Sequence, residues 1–477
     1  MRNKTLNILA VTLLSLSLTM SACSNKDVVP TETQVVDSLT EGAIEHAALG
    51  QYDPEKVRFI SQDSILYSES SSTSEVQGDI LRFTEVELVE EKAENEEAWS
   101  KVNYVILDQY IEGWLPSGQL TSNLGETFRK GFTHLDFDPK YKVESYKNNP
   151  KIEARALYLT VNSTRQRIDE FIQIANETDI NAFVIDVKAD RGNMLFNSDA
   201  AEKYCPDANT TYEKEKVREM LQKLKDNNIY AIARIVTFKD TIYAQTYPER
   251  ATVYKSSGKI YQSRDKLYWG TPHDRQFWEY NLAVSMEAAD MGFNEIQFDY
   301  VRFPDVSAAT CNKLDYRNEK DETKAEAIQK FLEYSYEELS KKEVYVGADI
   351  FGQVGSVVDD MGIGQYWEAV SNSIDFICPM MYPSHYGPNV YGLSVPDQFP
   401  YETVYYCTKD GIERNQNIST PAVIRPWIQD FTATWVTGYI PYRTREVKAQ
   451  IQALKDLGVE QYMIWNAGNN YHTDALK

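Results

Sequence analysis

Histidine and cysteine are scarce in this chain, with five of each among 477 residues. His46, His134, His273, His385 and His472 lie far apart, with no H-x-x-x-H pair and no cysteine partner at zinc-finger distance, so no structural metal is expected. There is no C-x-x-C pair or regular cysteine framework. That leaves a thiol mechanism unsupported and the pairing of Cys205, Cys311, Cys378 and Cys407 unassigned. Basic residues are in deficit as well: 49 Lys and Arg face 71 Asp and Glu, a net charge of -22. Such a surface repels phosphate backbones and anionic lipid, so nucleic acid is not an expected partner. Beyond the first 22 residues no stretch reaches the roughly 18 consecutive apolar residues that span a bilayer. No residue pattern asks for a cofactor.

What is present is an ordinary globular balance, 42% hydrophobic and 25% charged, over a length that holds one large core and an accessory unit. Tyrosine is used heavily: 32 Tyr, with 18 Phe and 8 Trp, supply rings suited to packing and to stacking on sugar faces alike. The chain opens with Arg2 and Lys4, a mostly apolar run over residues 6–18, and then Thr19-Met20-Ser21-Ala22-Cys23. These are the three parts of a secretory signal, and the small residues before Cys23 resemble a bacterial lipobox. The resemblance implies loss of residues 1–22 and lipidation of Cys23, giving an exported lipoprotein anchored to the cell membrane and facing outside the cytoplasm. An ordinary secretory signal with a chance cysteine is the alternative.

Residues 23–55 are polar and poor in periodic hydrophobics, the composition of a flexible tether. Short β-type runs follow between residues 56 and 122, at 57–60, 65–67, 79–83, 86–89, 99–102 and 104–107, so a small all-β barrel is expected. Gly113-Trp114-Leu115-Pro116-Ser117-Gly118-Gln119-Leu120, with Trp99 and Val102 before it, resembles the closing strands of a bacterial SH3-like domain. That resemblance implies contact with cell wall or protein. The seven Glu between Glu85 and Glu97 lack the Asp/Gly spacing of calcium loops and read as a solvated hairpin face. Residues 123–150 read as a linker.

From residue 151 to 477, buried-type strands at 156–161, 182–187, 229–238, 296–303, 344–351, 374–381, 422–428 and 462–465 alternate with helix-period sets such as Ile168, Phe171, Ile172 and Ala175. Eight alternations within 327 residues favour a (β/α)8 TIM barrel over an open doubly wound sheet. Only 12 residues follow Trp465, so the eighth helix is short or absent, and residues 124–135 are expected to cover the gap.

Chemistry in such a barrel gathers at the C-terminal strand ends. There, polar residues interrupt the apolar runs: Asp186 and Lys188, Arg234, Asp299 and Arg302, Asp349, then Arg425, Trp427 and Gln429, and finally Trp465 and Asn466. An ionised carboxylate in an apolar strand is costly unless paired or wetted. By strand alternation Asp186 and Lys188 share one face, Arg425, Trp427 and Gln429 share another, and Arg302 falls opposite Asp299, which it would otherwise hold ionised. Pointing inward, these groups converge on one mouth; alternatively Asp186, Arg234 and Arg425 form a buried ion-pair layer. Tyr382 and His385 follow the sixth strand in a Pro-bounded loop and are expected to touch substrate. Trp427 and Trp465 serve as sugar platforms or as core. Asp299 and Asp349, on adjacent strands, with rings around them and no Ser or Cys nucleophile constellation, point to glycosidic-bond cleavage. One carboxyl must be protonated to release the leaving oxygen, and the other ionised to attack the anomeric carbon or activate water.

The segments 185–192 (Ile-Asp-Val-Lys-Ala-Asp-Arg-Gly), 232–236, 297–304 (Gln-Phe-Asp-Tyr-Val-Arg-Phe-Pro), 348–352, 379–386, 425–431 and 465–469 together resemble a bacterial glycoside-hydrolase-like family of unknown function, distantly related to α-amylases. The resemblance covers nearly all of residues 151–477. It implies Asp299 as nucleophile and Asp349 as proton donor. Gln297 stands where α-amylases carry Arg, Asp349 where they use Glu, and their His-Asp pair after the seventh strand is missing, so starch is not the expected substrate. The expected activity is lipid-anchored hydrolysis of an extracellular or cell-wall polysaccharide. Substrate contacts are expected from Asp186, Lys188, Arg234, Arg302, Tyr382, His385, Arg425, Trp427, Gln429, Trp465 and Asn466. A non-catalytic, carbohydrate-binding surface lipoprotein with a degenerate barrel is the alternative.

Overall fold

Alternating side chains sort each strand into two faces, and in this chain both faces of most carboxy-terminal strands are apolar, so the strands must be covered on both sides. The computed structural model describes residues 53, 55–80, 84–94, 97–106, 109–122 and 131–477. The signal, Cys23 and nearly all of the tether lie outside the described residues.

Strands β1 (Val57–Ile60), β2 (Ser64–Tyr67), β3 (Val76–Ile80), β4 (Glu85–Glu94), β5 (Glu97–Ile106), β6 (Gln109–Pro116) and β7 (Leu120–Thr121) form an antiparallel all-β unit in the order β3-β2-β6-β5-β4-β1-β7. Ile60, Leu66, Ile80, Val86, Val102 and Leu115 fill its core. The runs expected at 99–102 and 104–107 are one strand, because Asn103 between them pairs with Glu87 across the sheet and donates from Nδ2 to its carboxylate at 3.2 Å. The glutamate-rich stretch is the β4–β5 hairpin, closed by the Glu94 and Glu97 pair.

The staves of the larger unit are β8 (Arg155–Leu159), β9 (Ala182–Lys188), β10 (Tyr230–Val236), β12 (Glu295–Asp299), β14 (Tyr345–Phe351), β15 (Phe376–Met380), the pair β16 (Val423–Ile424) and β17 (Trp427–Gln429), and β18 (Tyr462–Trp465). β11 (Val253–Tyr254) and β13 (Leu314–Asp315) form a separate small ribbon. All staves run parallel in the order β14-β12-β10-β9-β8-β18-β17-β15, and β15 pairs back to β14, closing an eight-stave (β/α)8 barrel. The seventh stave is interrupted at Pro426, which has no N–H to give, although its carbonyl still accepts from Met463 N at 2.8 Å. Ala156, Tyr158, Val184, Ile232 and Met463 fill the barrel interior. Leu157, Leu159, Phe183, Ile185 and Ile235, one position out of phase, meet the helices.

The helices are α1 (Val161–Glu177), α2 (Asp199–Tyr204), α3 (Lys214–Asp226), α4 (Thr241–Thr246), α5 (Arg275–Met291), α6 (Ala308–Cys311), α7 (Lys324–Ser340), α8 (Trp367–Ser373), α9 (Pro400–Asn415) and α10 (Thr444–Asp456). α3 shows the rule: Val217, Met220, Leu221 and Leu224 make one buried stripe, while Lys223 and Lys225 complement the carbonyl end of the helix dipole. α7 opens on a reciprocal capping box between Thr323 and Glu326.

After β18 a short 3-10 turn, Thr473–Ala475, brings Ala475 and Leu476 onto the helix-facing core in place of an eighth helix. The expectation that residues 124–135 cover that gap is corrected in its described part. Phe132 and Leu135 pack with Ala325, Tyr366 and Ala369 at α7 and α8, and the Phe132 ring lies 4.1 Å from that of Tyr366. Chain further on seals the bottom of the barrel: Tyr146 N donates to Tyr345 Oη at 3.1 Å, and Asn149 Nδ2 donates to the Asn294 carbonyl at 2.7 Å. Among the described residues no helix is long and apolar enough to cross a membrane. The four described cysteines are free thiols.

Candidate active site

The register of three neighbouring staves sets Arg234 on β10 level with Asp186 on β9 and Gln297 on β12. Arg234, 1% exposed, donates from Nη1 to Asp186 Oδ1 at 2.6 Å, and from Nε and Nη2 to Asp299 Oδ2 at 2.8 and 2.6 Å. Nη2 also reaches Asp190 Oδ1 at 3.0 Å. The Tyr158 hydroxyl donates to the other oxygen of Asp186 at 2.7 Å. Burial pushes the Asp186 carboxyl up to about 6, while Arg234 pulls in the opposite direction. The guanidinium fork thus holds the carboxyl groups of the two staves that flank its own, β9 and β12, with a geometry that a point-charge lysine does not provide.

β12 stops at Asp299 because Tyr300 turns into the left-handed region at φ 48°, and its N–H donates to Asp299 Oδ1 at 2.6 Å. A left-handed tyrosine is strained backbone, which persists where surrounding structure fixes it and which clusters at functional sites. The turn corrects the expected strand 296–303 and with it the placement of Arg302. Arg302 is not on a strand opposite Asp299. It swings back to line the same cavity, with its guanidinium 4.5 to 5.0 Å from the rings of Phe351, Trp269 and Tyr300, and donates to the Phe303 carbonyl at 3.0 Å.

Asp349 on β14 is 1% exposed. Its Oδ1 accepts from Gln297 Nε2 and from Trp427 Nε1, both at 2.6 Å, and its Oδ2 has no hydrogen-bond partner among the described residues. Burial first, and the negative charge of Asp299 second, hold its pKa well above the ordinary carboxylate range. The hydrogen bonds from Trp427 and Gln297 pull in the opposite direction, although the Gln297 amide lacks the positive charge an arginine would bring to the same position. A carboxyl whose pKa burial raises and a carboxyl paired with a guanidinium therefore stand on adjacent staves.

Above them opens a cavity of about 450 Å3, within the size range of small-molecule sites. Its wall includes Arg234, Asp299, Tyr300, Arg302, Phe351, Gln353, Tyr382, His385, Tyr386, Trp427 and Trp465. Asp349 is not on that wall; it lies against the Trp427 indole, which is. The Trp465 ring stacks on Tyr158 at 4.0 Å and 18°, presenting a flat apolar face. His385 is exposed at the mouth, the protein packed around its ring lowers the imidazole pKa, and its Nδ1 is 3.0 Å from Ser384 Oγ.

Residues 156–471 match the sequence profile of a family described as "putative glycosyl hydrolase domain". The chain belongs to that family. No curated protein matches the chain. Among solved structures it is similar to a hypothetical protein from Ruminiclostridium thermocellum ATCC 27405, at 32% identity over 43% of this chain and 98% of that one, with a TM-score of 0.36. It is also similar to the PgaB (BpsB) glycoside hydrolase domain from Bordetella bronchiseptica, at 13% identity over 68% of this chain and 99% of that one, with a TM-score of 0.48. A further similar structure is the spore cortex-lytic enzyme SleL from Bacillus megaterium QM B1551, at 12% identity over 69% and 74% of the two chains, with a TM-score of 0.40.

In this glycosyl hydrolase domain several residues expected at the mouth lie elsewhere. Asp186 and Lys188 do not share a face. Arg234 pairs with Asp186 and Ile235 with Lys188, so Val187 is the extra residue of a bulge, and Lys188 turns to the helical layer. There it is fully buried, 2.8 Å from Asp240 Oδ2 and from Asn281 Oδ1. Arg425 does share the inward face with Trp427, but at the opposite end of the barrel: its Nη1 donates to both oxygens of Glu295 at 2.8 Å, with Gln461 on its Nε. Gln429 is buried under the mouth, tying Ser384 Oγ at 2.7 Å to the Asp397 carboxylate at 3.2 Å. Asn466 staples its own loop through the carbonyls of Asp430 and Asn470 at 2.6 and 2.7 Å. Asp186, with its two oxygens on Tyr158 and Arg234, does not line the cavity either, so contact with substrate is withdrawn for Asp186, Lys188, Arg425, Gln429 and Asn466. Tyr158, Asp190, Tyr300, Phe351, Gln353 and Tyr386 belong to the site or its support and were not singled out. Asp190, Tyr300, Phe351 and Tyr386 lie inside the 185–192, 297–304, 348–352 and 379–386 segments, which is the signal the sequence offers for them; nothing in the sequence marks Tyr158.

Proposed function

We propose that the protein is a lipid-anchored glycoside hydrolase of an extracellular or cell-wall polysaccharide, in which Asp349 donates the proton and Asp299 acts on the anomeric carbon. The observation that carries this reading is a buried carboxyl with a raised pKa beside a carboxyl held by Arg234 on the neighbouring stave, since glycoside hydrolysis needs one carboxyl protonated and the other ionised. The proton leaves Asp349 Oδ2 for the glycosidic oxygen as the C–O bond breaks, in a sugar seated on the Trp427 floor. Asp299 Oδ2 is occupied by Arg234, so Oδ1 attacks the anomeric carbon or takes a proton from the attacking water. Arg302, Tyr382, His385 and Trp465 bind the flanking sugars.

The placement of Asp349 beneath the cavity wall favours one second reading, a carbohydrate-binding barrel without turnover. An oligosaccharide panel with anomer-resolved product detection separates the two, and the panel includes amino-sugar polymers because of the SH3-like resemblance of the amino-terminal unit. Asp349→Asn preserves both hydrogen bonds at Oδ1 and resembles the protonated acid, so the fold is retained. Hydrolysis of the natural linkage should fall about 10²- to 10⁴-fold, and that of an aryl glycoside with a good leaving group much less. Because the folded-state pKa of Asp349 is raised, its contribution to stability is full below the unfolded value near about 4 and is lost as pH rises toward the folded one. Asp349→Asn removes that loss. Its unfolding midpoint should therefore gain on the wild type as pH rises, and equal pH profiles would refute the neutral-acid assignment.

The signal and Cys23 support attachment to the outer surface of the membrane by lipid, with the all-β unit available for cell-wall or protein contact. Cys23→Ala should abolish incorporation of a labelled fatty acid into the protein, as read by metabolic labelling and immunoprecipitation; labelling undiminished in the variant would refute lipid attachment at Cys23.

A further inference from the structure

We propose that the loop over residues 431–442 carries an outer binding site for a polysaccharide chain, centred on the exposed indole of Trp435, so that the substrate is a polymer running out of the cavity rather than a small glycoside filling it. The inference rests on the glycan reading above and adds a site beyond the cavity wall.

Of the eight tryptophans, Trp99, Trp114, Trp269, Trp278, Trp367 and Trp427 are each at most 5% exposed, and Trp465 is covered on one face by Tyr158. Trp435 is 67% exposed, and Tyr439, four residues on, is 42% exposed. The loop that presents them is pinned. Ala433 is fully buried at its base, the Gly438 carbonyl accepts from Gln398 Nε2 at 2.6 Å, Ile440 N donates to Asp397 Oδ2 at 3.2 Å, and Tyr442 N donates to Thr432 Oγ1 at 3.1 Å. The indole is thus held outside by a rigid frame and is not at the tip of a loose segment.

Its position is continuous with the site. Tyr382 and His385 on the cavity wall stand edge-on to Phe431, with ring centroids 5.7 and 6.2 Å away. Phe431 in turn lies 6.1 Å from Trp435, with the two ring planes 19° apart. A row of rings therefore leads from the cavity to the surface. The C–H face of a pyranose carries slight positive charge and is flat and apolar, matching the electron-rich face of an indole. Trp465 inside and Trp435 outside form two platforms for successive parts of one chain.

The test uses the full-length exported protein and its Trp435→Ala and Trp435→Phe variants, which change an exposed side chain. Affinity electrophoresis in gels containing glycol chitin, xylan, mixed-linkage β-glucan or polygalacturonate reports polymer binding without requiring cleavage. Cleavage of the retarding polymer and of its di- and trisaccharide fragments is measured in parallel. The expected result is retardation by at least one polymer, weakened roughly tenfold in Trp435→Ala and restored in Trp435→Phe, with fragment cleavage unchanged. Equal retardation of wild type and Trp435→Ala would overturn the platform and leave the hydrolase reading standing. So would cleavage of fragments with no polymer retarded. Polymer binding that depends on Trp435 without any cleavage would sustain the platform and refute the hydrolase. Loss of self-association in Trp435→Ala by sedimentation, with polymer binding intact, would assign the patch to a second copy of this chain and overturn the proposal.

Discussion

Asp299→Asn is expected to abolish glycan cleavage, with a loss of at least roughly a thousandfold in kcat and little change in folding. The asparagine amide neither attacks an anomeric carbon nor accepts a proton from water. The fold survives the change because Arg234 keeps Asp186 and Asp190 as partners, while the single carbonyl oxygen of the new amide accepts either from the Tyr300 N–H or from the guanidinium, its NH2 facing a donor at the other. The variant also removes the negative charge that helps to raise the Asp349 pKa, so whatever activity persists should show its basic limb at lower pH. Single-turnover cleavage and a denaturation curve on the same preparation provide the measurement. Activity within tenfold of wild type would remove Asp299 from the mechanism. Restoration of turnover by formate in a cavity-enlarged Asp299→Ala would identify the lost function as attack or base catalysis, not support of the fold.

The largest stability effect is expected at Arg234. Replacement by alanine leaves Asp186 and Asp299, both buried, without the cation that every one of their mutual contacts depends on. Breaking a buried pair by removing one partner costs about 3–5 kcal/mol, because the remaining charge is neither solvated nor compensated. The loss should depend on pH. Without Arg234 the buried Asp186 carboxyl loses the charge that opposes its rise, so its folded pKa stands further above the unfolded value of about 4; the variant is least destabilised below that value and loses stability as pH rises. Urea midpoints at several pH values, at constant slope, test this. Arg234→Lys should fall between the two, since it restores charge but cannot satisfy two staves with one fork. A deficit independent of pH would mean that the arginine contributes packing and not pairing.

The two variants probe different layers of one construction. Asp299 faces the cavity with one oxygen and the ion-pair layer with the other, so the alternatives of catalytic residue and structural ion pair, which local sequence left open, both describe parts of the same network. Asp186 belongs to the supporting part: it is held by Tyr158 and Arg234 and does not line the cavity. Arg425, placed in the same layer on sequence grounds, forms its own pair with Glu295 at the far end of the barrel.

Local sequence was sufficient to place the eight staves, because buried strands announce themselves by continuous apolar runs whose length and spacing need no knowledge of what covers them. It also placed Asp299, Asp349, Arg234 and the aromatic residues near strand ends. It did not decide which of them meet. A single extra residue at Val187 sends Lys188 to the helices, a left-handed Tyr300 returns Arg302 to the cavity, and the height of Arg425 along its stave puts it at the wrong end. Side-chain direction alternates with a period of two, so one bulge or one turn reverses every inference made by counting. The sequence by itself therefore determined the barrel and the inventory of groups at its rim. Only the tertiary structure decided which groups share the mouth and which carboxyl has its pKa raised, because both depend on register across neighbouring staves and on burial, and neither is a property of any one segment of chain.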